Sequence, residues 1–105
     1  MLKKLVRDKI PELIERSGKT PIIEIATDNR IFKKLLKNKL QEEVDEYLQS
    51  DKIEELVDIL EVVYTLAKTQ KISSEKLEQL RQNKNQTNGA FNDKIILIKV
   101  IHDDT

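Results

Sequence analysis

Glu42-Glu43-Val44-Asp45-Glu46-Tyr47-Leu48-Gln49-Ser50-Asp51-Lys52-Ile53-Glu54-Glu55-Leu56-Val57-Asp58 is the stretch that decides how this chain folds. On both sides of Ser50-Asp51 the apolar residues recur at three- and four-residue intervals, which is the period of a helix and not of a strand. The pattern predicts one helix from about Asn29 to Gln49 and another from Lys52 to about Gln70, with Ser50 or Asp51 capping the second. So short a connection makes the two helices antiparallel neighbours.

Where the carboxylates point follows from the advance of roughly 100° per residue. On the second helix, with Ile53 as zero, Leu56, Val57, Leu60, Tyr64 and Ala67 cluster within roughly 60°. Ile59, Val62, Val63 and Leu66 widen the apolar arc to roughly 220°, which implies burial on two sides. Glu54, Glu61 and Thr65 take the narrow polar strip. Glu55 does not, falling at roughly 200° between Val62 and Leu66, and Asp58 stands at roughly 140°, at the border of the apolar arc. On the first helix, with Ile31 as zero, Glu43 falls at about 120°, between Phe32 and Leu36, and Glu46 at about 60°, beside Leu35. Glu43 with Glu46 and Glu55 with Asp58 are thus two i,i+3 pairs whose carboxylates can converge. Tyr47 and Tyr64 read as core residues.

Four carboxylates do not share a partly buried site unaided, because burial and mutual repulsion both oppose the charged form. A divalent cation resolves this, and an all-oxygen ligand set suits Mg²⁺ or Mn²⁺. A di-iron bundle would require Glu-x-x-His pairs. The single histidine, His102, lies near the carboxyl terminus and reads as exposed and without a role.

Outward from this centre, Pro11 suits the first turn of a short helix through Arg16, with Gly18 as its stop. Pro21-Ile22-Ile23-Glu24-Ile25-Ala26 is short and β-branched and reads as a strand. Thr27 or Asp28 caps the helix that follows. Ser73 or Ser74 starts a further helix ending near Asn85, before Asn88-Gly89 breaks the pattern. The apolar run 94–101 reads as a second strand that could pair with 21–26 as a small ladder, a terminal helix being the alternative. The expected fold is mainly α: an antiparallel helical bundle in a single domain, 1–105.

Composition narrows the function classes. The 105 residues carry 19 Lys plus Arg against 19 Asp plus Glu, so no basic surface of the kind that neutralises a nucleic acid is expected overall. The charges are nevertheless segregated. Nine of the acids fall between Glu42 and Glu61, while Lys3, Lys4, Arg7 and Lys9 crowd the amino terminus. There are no cysteines, which removes disulfides and thiolate-ligated metals. No apolar run approaches the roughly 20 residues of a membrane span. The amino terminus turns polar too soon for a secretory signal. The expectation is a cytoplasmic protein with neither membrane nor nucleic acid as partner.

The pattern Glu42-Glu43-x-x-Glu46, eight residues, then Glu55-x-x-Asp58 resembles the EExxE…ExxD signature of the MazG-like, all-α nucleoside triphosphate pyrophosphohydrolases, with a shorter gap than in many members. Other features are similar to the small branch of phosphoribosyl-ATP pyrophosphohydrolase-like proteins: the opening Lys4-Leu5-Val6-Arg7-Asp8-Lys9-Ile10-Pro11, the segment from Glu54 to Val62, a Lys-rich helix and a closing Arg-Gly-Gly-Phe-like turn. Together they cover nearly the whole chain.

The resemblance implies an all-α pyrophosphohydrolase fold and Mg²⁺-dependent hydrolysis between the α- and β-phosphates of a nucleotide, giving a monophosphate and pyrophosphate. It implies Glu43, Glu46, Glu55 and Asp58 as metal ligands, and Glu42 as a further ligand or the base that orients water. Lys4, Arg7 and Lys9 match the opening motif and would hold phosphates, with Arg81 and Lys84 as weaker candidates. Asp8, in the same motif, reads instead as structural, pairing with a nearby cation. The family's closing arginine is here Asn88, in Asn88-Gly89-Ala90-Phe91. That departure points either to altered phosphate binding or to a purely structural turn.

The leading expectation is a house-cleaning enzyme for non-standard nucleotides. One alternative is phosphoribosyl-ATP hydrolysis in histidine biosynthesis. Another is a non-catalytic helical module that binds a protein partner through its double-sided helix. That same helix suggests a homodimer or larger homo-oligomer.

Overall fold

Asp28 holds extended backbone and accepts a hydrogen bond from the Arg30 amide at 2.9 Å, so the helix that follows starts with a capped end. The computed structural model describes residues 3–102. Within them the order is α1 (Ile10–Arg16), α2 (Asn29–Ser50), α3 (Ile53–Thr69) and α4 (Ser74–Asn88). Pro11 sits in the first turn of α1, and Gly18, at φ 87°, takes the left-handed conformation that ends it. Ser73 caps α4 by accepting from the Lys76 amide at 3.1 Å.

The expected cap of α3 is different in kind. Asp51 adopts φ 57° and closes α2, donating its amide to the Tyr47 carbonyl, and Lys52 is the residue that precedes α3, with no side-chain cap. Ser50 Oγ instead accepts from the Lys52 amide at 3.2 Å. A left-handed Asp spends the junction on stopping one helix rather than starting the next. The result is a two-residue turn that folds α3 back along α2, and these two helices make the principal packing contact.

Around this hairpin the chain is open. The backbone of α1 lies away from the other helices, and α4 meets only α3, sparsely. The radius of gyration is 19.2 Å and the extents are 72 × 32 × 25 Å. A compact domain of this length would have a radius near 13 Å. Leu36 of α2 and Val62 of α3 are the buried apolar residues among those described. The phase arithmetic explains which stripe is covered: Leu36 and Glu43 share one side of α2, and Val62, with the half-buried Ile59 and Leu66, faces them from α3. Tyr47 and Tyr64 are half-buried, and His102 is exposed. The opposite face of α3 is bare, with Ile53 at 66% and Val57 at 58% exposure.

The expected ladder between 21–26 and 94–101 is absent. No strand forms among the described residues, and both segments run as irregular, exposed chain. β-branched residues favour extended backbone, but a strand needs a hydrogen-bonding neighbour, and no backbone hydrogen bond joins these two segments. No helix among the described residues is long and apolar enough to cross a membrane.

Candidate functional site

The buried stripe between α2 and α3 contains a carboxylate. Glu43 is 6% exposed, and its Oε2 is buried without a hydrogen-bond partner. Glu43, Glu55 and Asp58 each place a ligand oxygen within 4.8 Å of the other two. The i,i+3 spacing of Glu55 and Asp58 puts both on the side of α3 that faces α2, which is why the antiparallel turn brings them to Glu43. Glu46 stands apart from this trio and is exposed, although its charge is near enough to act on Glu43. Its position on α2 lies outside the stripe that Leu36 and Glu43 define.

Burial pushes the Glu43 carboxyl above its ordinary 4.5, and the neighbouring charges of Glu46 and Asp58 push the same way, against Lys39. Glu42 behaves in the opposite manner. Its Oε1 lies 2.6 Å from Lys4 Nζ, and this hydrogen bond is the main cause holding its carboxyl below the usual value. The same contact raises Lys4. Two adjacent glutamates therefore have divergent acidities set by what each one touches.

The amino-terminal segment supplies the cations. Arg7 Nη2 donates to Asp58 Oδ1 at 2.7 Å, and Lys4 reaches Glu42, so this segment lies across both acidic helices. Lys9 lines the cavity beneath it without an ion pair to the acids described. The cavity measures about 530 Å³. Phe32, Leu36, Val62, Leu5 and Val6 give it an apolar wall, and Arg7, Lys9, Lys39 and Lys68 line it together with Asp8, Glu43, Asp58 and Glu61. Its volume is that of a small-molecule site, and its four cationic side chains are matched by four acidic ones. Lys84, on α4, does not line it, and Arg81 is engaged with Glu78.

One residue escaped the sequence reading. Lys39 Nζ sits 3.4 Å from both Glu42 Oε2 and Glu43 Oε1, bridging the two glutamates. Its position four residues before Glu43 was the available signal, since i and i+4 side chains meet on a helix.

The trio of oxygens, one of them buried and unsatisfied, has the donor chemistry of a site for a hard divalent cation. No protein-family model matches the chain, and no solved structure matches it. An uncharacterized protein of Mycolicibacterium smegmatis is 49% identical over 47 residues, which are 45% of this chain and 47% of that protein. The chain thus matches about half the length of this curated relative.

Proposed function

We propose that the chain is a divalent-metal-dependent nucleotide pyrophosphohydrolase of the MazG-like, all-α type, acting on nucleoside triphosphates and clearing non-standard ones. The observation that carries this reading is the orphaned Glu43 Oε2 within the Glu43, Glu55 and Asp58 cluster. A buried carboxylate oxygen without a partner is costly, and a bound cation removes that cost. Glu43, Glu55 and Asp58 would hold Mg²⁺, or Mn²⁺, with Glu46 completing the set implied by the sequence motif. When bound, the ion would neutralise phosphate charge and favour ionisation of a water.

The residues around it have separable tasks. Arg7 and Lys4 are poised to exchange their carboxylate partners for phosphate oxygens, and Lys9 faces the same cavity. Lys84 belongs to this set only by sequence motif. Glu42, held ionised by Lys4, can accept a proton at its carboxylate from the attacking water. A bond forms between the water oxygen and phosphorus as the bridging P–O bond breaks, leaving a monophosphate and pyrophosphate. Phe32, Leu36 and Val62 offer an apolar wall for the rest of the substrate.

The bare face of α3 supports a homodimer or larger assembly, since Ile53, Leu56, Val57 and Leu60 are all exposed in one chain. The test of the activity is pyrophosphate release from a panel of canonical and modified nucleotides with Mg²⁺. Release that disappears in Glu43→Ala and Asp58→Ala, with folding retained by circular dichroism, supports the reading. No release from any nucleotide, with no Mg²⁺-linked rise in Tm, overturns it in favour of a non-catalytic helical module.

A further inference from the structure

Two strand-like segments are left without partners. In 94–101 the apolar side chains are 76% to 84% exposed, and in 21–26 Ile22 is 99% exposed. No backbone hydrogen bond joins the two segments within the chain. The first leads into the amino end of α2, and the second follows α4, which among the helices meets α3 alone. The 72 Å long axis is more than twice the ~33 Å of α2, the longest helix. The chain is thus drawn out well beyond the hairpin, and the second segment is exposed along its length.

The two segments are complementary to each other. In an antiparallel register Ile22 faces Ile101, Ile23 faces Val100, Glu24 faces Lys99, Ile25 faces Ile98 and Ala26 faces Leu97. Alternation then gives one face made only of Ile23, Ile25, Ile98 and Val100, and confines the charges to the other. The one acid of the first segment meets a lysine of the second. A slip of one residue sets Lys99 against an isoleucine and moves every side chain to the wrong face. Glu24 already pairs with Lys3 at 2.7 Å, an exposed contact that leaves its other oxygen for Lys99.

We infer that residues 97–101 of one copy add as an antiparallel strand to residues 22–26 of a second copy, with Glu24 opposite Lys99 across the two chains. The exchange is reciprocal about a two-fold axis, so each copy gives one strand and receives one. It buries the apolar run that a lone chain exposes, and it does not depend on the proposed chemistry.

Because the sequence contains no cysteine, an introduced pair reports only on itself. Directly opposed antiparallel residues have Cα atoms about 4.5–5.5 Å apart, within disulfide reach. Full-length Ile25→Cys and Ile98→Cys chains, distinguished by tag size, are mixed and mildly oxidised, then separated on a non-reducing gel. The expected result is a 25–98 linked heterodimer at least tenfold more abundant than either homodisulfide. Lys99→Glu in the second chain lowers its yield, and Glu24→Lys in the first restores it. In a chain carrying both cysteines the disulfide runs between copies. Homodisulfides equal to the 25–98 product, no cross-link, or a 25–98 link within one chain would each overturn the exchange.

Discussion

Arg7 and Asp58, 51 residues apart in the chain, are joined by a 2.7 Å hydrogen-bonded ion pair that lays the amino-terminal segment over the acidic seam of α2 and α3. A candidate phosphate ligand thus rests on a candidate metal ligand. The pair is half exposed, so its own contribution to stability is below about 1 kcal/mol. Arg7→Gln is expected to leave Tm nearly unchanged. Under the proposed chemistry it raises KM for a nucleoside triphosphate by roughly tenfold, equivalent to about 1.4 kcal/mol of binding. It also strengthens Mg²⁺ binding measured without nucleotide, because Asp58 loses a competing cation. Titration calorimetry and steady-state kinetics read these effects separately.

Glu43 provides a pH signature. Its folded pKa is raised above the ordinary 4.5, so the folded chain binds this proton more tightly than the unfolded chain does. Its contribution to stability is greatest at low pH and declines as pH rises from the ordinary value through the raised one. Glu43→Gln removes that decline. Metal-free melting curves across the acid-to-neutral range are expected to converge at low pH. At neutral pH the variant is more stable by on the order of 1 kcal/mol, or roughly 4–8 °C. The same substitution abolishes Mg²⁺-linked stabilisation and lowers pyrophosphate release by on the order of 10²-fold or more.

Lys39 is the positive charge that Glu43 has when no metal is bound. Lys39→Met keeps most of the side-chain volume and leaves the buried carboxylate without that partner. The expected cost is about 1–3 kcal/mol without divalent ions. Millimolar Mg²⁺ should recover much of it, because the cation supplies the lost charge. Equal destabilisation with and without Mg²⁺, measured by chemical denaturation, would show that Lys39 acts through packing alone.

Asp28 tests the local fold. Its side chain accepts from the Arg30 amide, and Asp28→Ala is expected to destabilise the chain by about 1 kcal/mol. Asp28→Ser should restore most of the loss, since a hydroxyl can take the same amide. Denaturant titration distinguishes the two substitutions.

Much of the seam was legible from residue spacing. The phase of α2 placed Glu43 beside Leu36, and both are buried. The phase of α3 set Glu55 and Asp58 on the side of Val62, where they meet Glu43. Glu46 was a harder case: at about 60° from Ile31 it stands beside Leu35, but the packed stripe lies nearer 100–140°, so it is exposed. Spacing shows which residues share a face but not how wide a strip the neighbouring helix covers. For the same reason the wide apolar arc of α3 implied burial on two sides, and within one chain the face centred on Ile53 is bare.

Sequence alone determined the four helices, the caps of α2 and α4 and the carboxylates that share a face, because these depend on neighbours within a turn or two of backbone. Tertiary structure decided the rest. It selected Glu43, Glu55 and Asp58 from a longer acidic run, set Arg7 against Asp58, and left 21–26 and 94–101 unpaired. Those outcomes depend on distances between segments far apart in the chain, which the direction of each helix after its turn establishes and no local pattern encodes.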